Sequence, residues 1–553
     1  MRKLLLMAAA VLAAVFLFVA TTLPPAPVPA AGSVNPAVLE RTVRGAYHVH
    51  SNVSDGAGTR DAVAAAAARA GLRFVVFADH GDGTRIPDPP RYVNGVLCID
   101  AVEISTTGGH YVALDMRPAD YPLGGEAAAV VEDVRRLGGF GIAAHPYSSK
   151  VGLAWTDWSA PIDGLEWLNA DSEWRDESVW RLAALPLYAL ARPGPALASI
   201  LALPVSAVER WDDLASRRPI VALAAHDAHG GLGEERSVPI PTFPSYDASF
   251  RSFSTAVIAG AALTGSAPDD ARVVVDAIRR GRVFSAIDGL AAPAYLDFSA
   301  LVDGATAMMG DSLPFQGDVE IVARASLPPG GTLVLICGGQ KAGESSSGEL
   351  RHHPDSAMAC RPEVRVPGAP GTPPVPWIAG NAIHLIAPMF EPIGSEPLFE
   401  VVRHLREVPW VVEKDQGSQG GIDVRDGEAV LNYELKAGDR ASQYVAAAAA
   451  LDPPPPEFDR ILLTAAASGP MRVSAQLRFG GGDRWLRSFY LDGDPRRIVI
   501  PISELVPADA PTGPRPDFRG ATSLLLVIDL TNAKPGASGW VRISDAALAR
   551  ALR

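Results

Sequence analysis

The chain is 553 residues long, 48% hydrophobic and 20% charged, with a formal net charge of −13. That length exceeds one ordinary core and implies roughly two to four domains, and the composition is that of a globular protein, not a disordered one. The acidic balance, with no dense Lys/Arg run, excludes a phosphate-backbone partner such as a nucleic acid.

At the N-terminus, Arg2 and Lys3 precede an apolar run from Leu4 to Ala20, and "PVPAAG" offers small residues for cleavage near Ala31. Residues 1–31 therefore read as a secretory signal peptide or, since the run is long for a signal core, as an uncleaved membrane anchor. Either way the bulk of the chain is expected outside the cytosol, periplasmic or extracellular and in the second case membrane-tethered. From 40 to 292, short apolar runs ("VRGAYHVH", "RFVVFADH", "GVLCIDAVE", "HYVALD", "FGIAAHP", "IDGLEWLN", "IVALAAHD") alternate with helix-like segments. In "TRDAVAAAAARAG", Thr59 is a helix N-cap and Gly71 a stop. Seven strands apolar on both faces and interleaved with helices predict a closed or nearly closed α/β barrel. The segment "SVWRLAALPLYALARPGPALASILALPVSAVERW" is apolar enough to raise a membrane question, but Arg181, Arg192 and its prolines make it a helical insertion packed on the barrel.

After Tyr295 short alternating strands separated by Gly/Pro/Ser loops predict a small β-sandwich over 293–405. From 406 to 553 further strands at similar spacing predict a jelly-roll-like β domain. Cys98, in an apolar run, reads as a buried thiol, whereas Cys337 and Cys360 flank a polar loop and can pair in an oxidising compartment.

The chemistry lies at the ends of the predicted barrel strands, where α/β barrels build their sites. "AYHVHSNVSDG" places His48 and His50 on one face of a strand, and its turn can swing Asp55 over them. The other ends read "ADH" (His80), "VE" (Glu103), "AAHP" (His145) and "HDAH" (Asp227, His229), and His110 opens the strand after Glu103. Seven of the eleven histidines fall between 48 and 229, a concentration that scattered core histidines do not explain. Imidazoles mixed with carboxylates suit zinc, manganese or iron. Nine candidate ligands are too many for one ion, which uses about three protein ligands at a catalytic zinc site. Two or three divalent transition-metal ions are the natural partition.

The ordered set HxH, Asp, "DH", Glu, His, "HP", "DxH" resembles the polymerase-and-histidinol-phosphatase (PHP) superfamily over roughly residues 44–292. The resemblance implies a distorted seven-stranded barrel and metal-dependent phosphoester hydrolysis. Its ligands fall on His48, His50, Asp55, His80, Glu103, His110, His145, Asp227 and His229, with Asp55 either a ligand or a ligand's neighbour. Ala78 stands where members often carry Thr. "GRVFSAIDG" and "PWIAGNAIHL" resemble the carbaryl-hydrolase-like branch, which appends a small β-sandwich and widens the substrate to carbamate or carboxylic esters.

Glu103, His110 and His145 are expected to carry catalysis, with Glu103 bridging two ions that hold the attacking hydroxide. Lys150, Arg236 and Arg251 are candidates to grip a phosphate. His226 reads either as a ligand's support or as a plain strand-end residue, and Glu166 and Asn169 as structural hydrogen-bonding groups, with the orienting of water as the alternative. His352 and His353 read as solvated. Trp485, Trp540 and Tyr490 read as sandwich core, with sugar stacking as the alternative. The expected substrate is a small-molecule or envelope-derived ester. A competing reading is a non-catalytic envelope or glycan-binding protein with a structural metal site, its C-terminal β domain contacting glycan.

Overall fold

The computed structural model describes residues 1–150, 152–231, 243–302, 305–315, 317–387, 398–425, 427–440, 442–509 and 514–552. Ten strands frame the α/β region: β1 (Thr42–Val49), β2 (Phe74–Phe77), β3 (Val96–Asp100), β4 (Val102–Thr106), β5 (Gly109–Leu114), β6 (Phe140–Ala143), β7 (Gly164–Asn169), β8 (Val221–Ala225), β9 (Ser254–Ile258) and β10 (Val283–Ala286). They form two sheets, β8-β7-β6-β5-β4 and β10-β9-β1-β2-β3. Strands β2, β6, β7, β8, β9 and β10 are buried along their whole length, as apolar runs covered on both faces must be.

The sheets meet along two edges. At one, the His226 amide donates to the Tyr47 carbonyl (3.0 Å) and Val49 bridges Ala228 in parallel. At the other, His80 bridges Glu103 and the Glu103 amide donates to the Asp79 carbonyl (3.2 Å). Both seams carry histidines and carboxylates named from the sequence. The run "GVLCIDAVE", expected as one strand, instead divides at Ala101 into β3 and β4, in different sheets. Strand β4 then returns antiparallel as β5 through "TTGG", where Gly109 has φ +115° and a Cβ would stand 2.7 Å from the Ala154 carbonyl oxygen.

Four groups of helices matter here. The apolar helix α1 (Arg2–Thr22) leaves the body with none of its residues buried. The helix α2 (Arg60–Arg69) is capped by Thr59, whose hydroxyl accepts from the Ala62 amide, and Gly71 follows its end at φ +76°. The helix α3 (Ala127–Arg136) covers the sheet with Val130, Val131 and Val134. Beyond β7 come α4 (Ala170–Asp176), α5 (Val179–Ala191), α6 (Pro193–Ala198) and α7 (Val205–Ala215), the expected helical insertion. The chain between α1 and β1 is woven into the body. Val28–Pro29 pairs in parallel with Ala291–Ala292, Ala30 is buried, and Ala31 exchanges two backbone hydrogen bonds with Leu327.

Among the described residues, the region after β10 is built of β-strands, with two single 3-10 turns at Ile502–Glu504 and Phe518–Gly520. A four-stranded sheet built on Leu296–Val302 lies against a second layer containing Thr332–Cys337, Ala359–Arg365 and Ile378–Gly380. That second layer is hydrogen-bonded to the α/β region, because β10 pairs antiparallel with Ile378–Gly380. Asn381 reinforces the joint, accepting from the Ala222 amide (2.7 Å) and donating to the Ala222 and Val283 carbonyls. Cys337 and Cys360, directly opposed in neighbouring strands, are joined by a disulfide, and Cys98 is a buried free thiol.

The C-terminal region consists of two six-stranded antiparallel sheets closing on a core that includes Leu431, Ile461, Leu477 and Leu524. It docks on α3 through buried polar contacts. Arg472, whose side chain is fully buried, donates to Asp133 (2.6 Å) and Glu132 (2.6 Å), and Ser488 donates to Glu126. Asn532 donates to the Pro122 carbonyl (3.0 Å).

Candidate metal centre

Glu103, fully buried on β4, is the hub of the site. Its Oε1 lies 2.8 Å from His110 Nδ1 and 2.8 Å from His145 Nε2. Its Oε2 lies 3.1 Å from His80 Nδ1, 3.3 Å from His50 Nε2 and 3.4 Å from His48 Nε2. Asp227 Oδ1 approaches His50 Nε2 at 3.2 Å and His48 Nε2 at 3.6 Å. Asp55 closes the outer side, 3.3 Å from His50 Nδ1, 3.3 Å from His229 Nε2 and 3.5 Å from His80 Nε2. All nine residues named from the sequence therefore converge.

Three sets have ligand atoms close enough to hold an ion: His48–His50–Glu103, His80–Glu103–His110 and His50–Asp55–His80–His229. Glu103 belongs to two of them. The donor set fits transition metals, being imidazole and carboxylate with no thiolate. One atom makes the fit specific. Glu103 Oε2 is buried and makes no hydrogen bond, although three imidazole nitrogens stand within 3.4 Å of it. The Nε2 atoms of His48 and His50 likewise face one another at 3.1 Å. Lone pairs aimed at shared points rather than at each other's protons are what bound cations would satisfy.

The backbone is strained where it presents these groups. His48, His145 and Asp227 have φ of 58°, 29° and 45°, in the left-handed region that L side chains rarely occupy. His48 and His50 were expected to share a face by simple strand alternation. Instead the β1–β2 register shifts between Ala46 and Val49, and the left-handed His48 turns its ring toward His50.

A second layer of polar groups fixes the candidate ligands. His48 Nδ1 donates to Glu166 Oε1 (2.6 Å), leaving Nε2 for the centre, and the His145 amide donates to Glu166 Oε2 (2.7 Å). Asn169 donates to both Glu166 and Asp227. Glu166 and Asn169 thus take the hydrogen-bonding role the sequence suggested. Asp79, which sequence reasoning passed over, pins the turn after His50. It accepts from the Ser51 amide (2.7 Å), the hydroxyls of Ser51 and Ser54, and the buried Arg60 guanidinium. The only signal for it was its place before His80 in "ADH".

Burial disfavours charge on His48, but the carboxylates of Glu166, Asp227 and Glu103 outweigh it and hold the imidazole well above its ordinary range. Burial likewise opposes ionisation of Glu103, and His48 with the His110 and His145 hydrogen bonds keeps its carboxyl well below the usual range. The carboxylates therefore attract positive charge to the centre, and cations would displace protons from the imidazoles.

A cavity of about 470 Å³ opens beside His145, Glu166 and Asn169, and another of about 520 Å³ beside His80. Glu173, on α4, lines the first, and burial pushes its carboxyl up to about 7. No sequence pattern marked it. Arg117 lines the second and has no carboxylate partner among the described residues.

The expected phosphate-gripping residues are not assembled as a group. Lys150 is exposed in the loop after His145, Arg251 is held by Asp247 (2.8 Å) and the Arg69 carbonyl (2.7 Å), and Arg236 lies outside the described residues. His226 points away from the ligands, stacked on Phe253 and hydrogen-bonded to its carbonyl, with burial lowering its pKa to about 4. His353 is exposed and His352 half-buried. Tyr490, read as sandwich core or a sugar platform, packs instead on Tyr121 and Arg136 at the interface with α3. Trp485 packs on Phe518 at the sandwich edge, and Trp540 lies near Arg542.

The chain matches no protein-family model and no curated protein. Among solved structures it is similar to a two-domain protein from Bacteroides vulgatus described as containing a predicted PHP-like metal-dependent phosphoesterase. That match has 13% identity and a TM-score of 0.30, covering 62% of this chain and 95% of that one. The C-terminal region is similar to a family 11 carbohydrate-binding module from Clostridium thermocellum. Here the identity is 16% and the TM-score 0.23, over 29% of this chain and 99% of that one. At such scores neither likeness carries the reading of the site, which rests on the buried His/Asp/Glu cluster itself.

Proposed function

We propose that the chain is an exported metal-dependent hydrolase acting on phosphoesters at a centre of two or three transition-metal ions. The observation that carries this is Glu103, a buried carboxylate shared between two sets of imidazoles, with one oxygen free of hydrogen bonds. Bound ions would activate water and neutralise charge building on the ester oxygens. The protein's part is to hold the ligands and shape the approach. Glu103 is common to two ion positions. Glu166 and Asn169 set the orientation of His48 and Asp227, and the left-handed backbone at His48, His145 and Asp227 locks it. Glu173, whose carboxyl burial raises to about 7, is the candidate to give a proton to the leaving group. Lys150, exposed in the loop after His145, and Arg117, in the wall of the cavity beside His80, are the candidates to meet an anionic substrate, and on them rests the choice of a phosphoester over the neutral carbamate or carboxylic esters the same centre would attack.

The test is turnover of a nitrophenyl phosphodiester with added manganese or zinc, set beside a nitrophenyl carboxylic ester. Glu103→Gln keeps the side chain's size but removes the shared charge. Its expected effect is a loss on the order of a thousandfold, about 4 kcal/mol of transition-state stabilisation. Elemental analysis should find at least two ions per wild-type chain. One ion or none under metal-replete conditions, or unchanged turnover in Glu103→Gln, overturns the mechanism.

A further inference from the structure

Helix α5 is apolar but for Arg181, which pairs with Glu177 at its start. Its inner side, Leu182, Leu185 and Tyr188, packs on Trp174, Leu197 and Ile200. Its outer side consists of Val179, Trp180, Ala183, Pro186, Leu187 and Leu190, which recur at the three- and four-residue spacing of one helical face and are all exposed. Trp180 and Leu190 are each 87% exposed. A soluble helix turns polar residues to water, so a whole apolar face left bare calls for a cover.

Its surroundings name that cover. Tyr188 donates a hydrogen bond to Thr22 at the end of α1 (2.8 Å) and stacks on Phe18, and Arg192 at the end of α5 donates to the Pro24 carbonyl (2.6 Å). Helix α5 therefore lies at the point where α1 leaves the body. Helix α1 has 21 residues, its most apolar 18-residue stretch has a mean hydropathy of 2.7, and its charges are confined to Arg2 and Lys3. At about 1.5 Å per residue it matches a hydrocarbon core of about 30 Å. At 13 residues α5 is too short to span. Its exposed Trp180 and the arginines at 181 and 192 are the groups that settle where acyl chains meet headgroups.

We infer that α5 seats its outer face in the surface of the lipid bilayer that α1 crosses, so that the body is held against the membrane at two elements rather than hung from one. The wall beneath α5 is part of the site, since Trp174, Leu197 and Ile200 line the same small cavity as Asp227 and His229. The metal centre thus lies one helix below the lipid–water boundary.

The experiment does not depend on activity, so it stands apart from the hydrolase reading. Nitroxide labels are placed at Trp180→Cys, Leu190→Cys and, as an aqueous reference, Ser346→Cys, which is exposed on the middle β region. The native cysteines do not compete, Cys98 being buried with its thiol pushed up to about 11 and the other two disulfide-bonded. Full-length protein is reconstituted into phosphatidylcholine vesicles containing one part in three phosphatidylglycerol. Labels at 180 and 190 are expected to favour dissolved oxygen over a water-soluble nickel chelate by about tenfold or more relative to the label at 346, as acyl-chain burial of about 5–10 Å requires. All three sites must melt like the wild type, which their exposure favours. Equal access of the nickel chelate to 180, 190 and 346 overturns the inference.

Discussion

At the level of single residues, the most specific expectation concerns Glu173. Its carboxyl, raised to about 7 by burial, is a proton donor below that pH and a carboxylate above it. Turnover of an alkyl phosphoester, whose leaving group needs a proton, should therefore fall as pH rises through about 7. Glu173→Gln should lower that turnover about a hundredfold and abolish the alkaline limb. A nitrophenyl ester, whose leaving group departs as a stable anion, should be nearly indifferent to the substitution. A pH profile unchanged in Glu173→Gln assigns the proton to another group. Glu173 illustrates what the sequence withholds. The nine candidate ligands were legible because histidines and carboxylates at the ends of apolar runs are unusual where they stand. Glu173 is one acid among 62, marked only by the burial that α4 gives it. Asp79 was hidden for a related reason, because its work is to hold Ser51, Ser54 and Arg60, and no local pattern records such partners.

Among the elements, strand and helix identities followed the period of the apolar residues, and Thr59 and Gly71 bound α2 where the sequence placed them. Pairing direction was not readable, because it depends on what lies opposite. Hence the "GVLCIDAVE" run broke unforeseen at Ala101, sending Glu103 into an antiparallel hairpin with His110 across the turn. The same limit applies at the N-terminus. "PVPAAG" has the small residues of a cleavage site, yet in the fold it supplies a strand and a buried alanine. Cutting near Ala31 would strip the pairing of Val28–Pro29 with Ala291–Ala292 and expose the Leu327 edge. The mature protein should accordingly retain α1. Intact-mass measurement of protein taken from the membrane fraction checks this, and a mature chain beginning at Gly32 would refute it.

At the scale of the whole molecule, composition divided the chain into an α/β part and two β-rich parts, but it could not show how they are joined. One joint is a shared ladder, from β10 to Ile378–Gly380. The other is a buried ionic contact between distant segments, centred on Arg472 against Asp133 and Glu132, with Tyr121 and Arg136 also bonded to Asp133. Sequence patterns do not reveal such a contact, because Arg472 sits in a strand whose other residues look like ordinary sandwich core. Burial disfavours its charge, and Asp133 and Glu132 outweigh that penalty, so it stays cationic throughout the accessible pH range. Arg472→Ala removes one partner and leaves Asp133 buried with fewer donors, which costs about 3 kcal/mol at a site of this kind. Arg472→Met fills the space but leaves Asp133 with only Tyr121 and Arg136 as partners, so it should recover only the packing share. Calorimetry should show the C-terminal sandwich melting earlier and separately in Arg472→Ala, while metal content is unaffected because no ligand lies on α3. High salt should not mimic the substitution, since a fully buried pair is poorly screened. If the two regions still melt together at the wild-type temperature, docking rests on Ser488–Glu126 and Asn532–Pro122 instead, and Arg472 is a passenger in the interface.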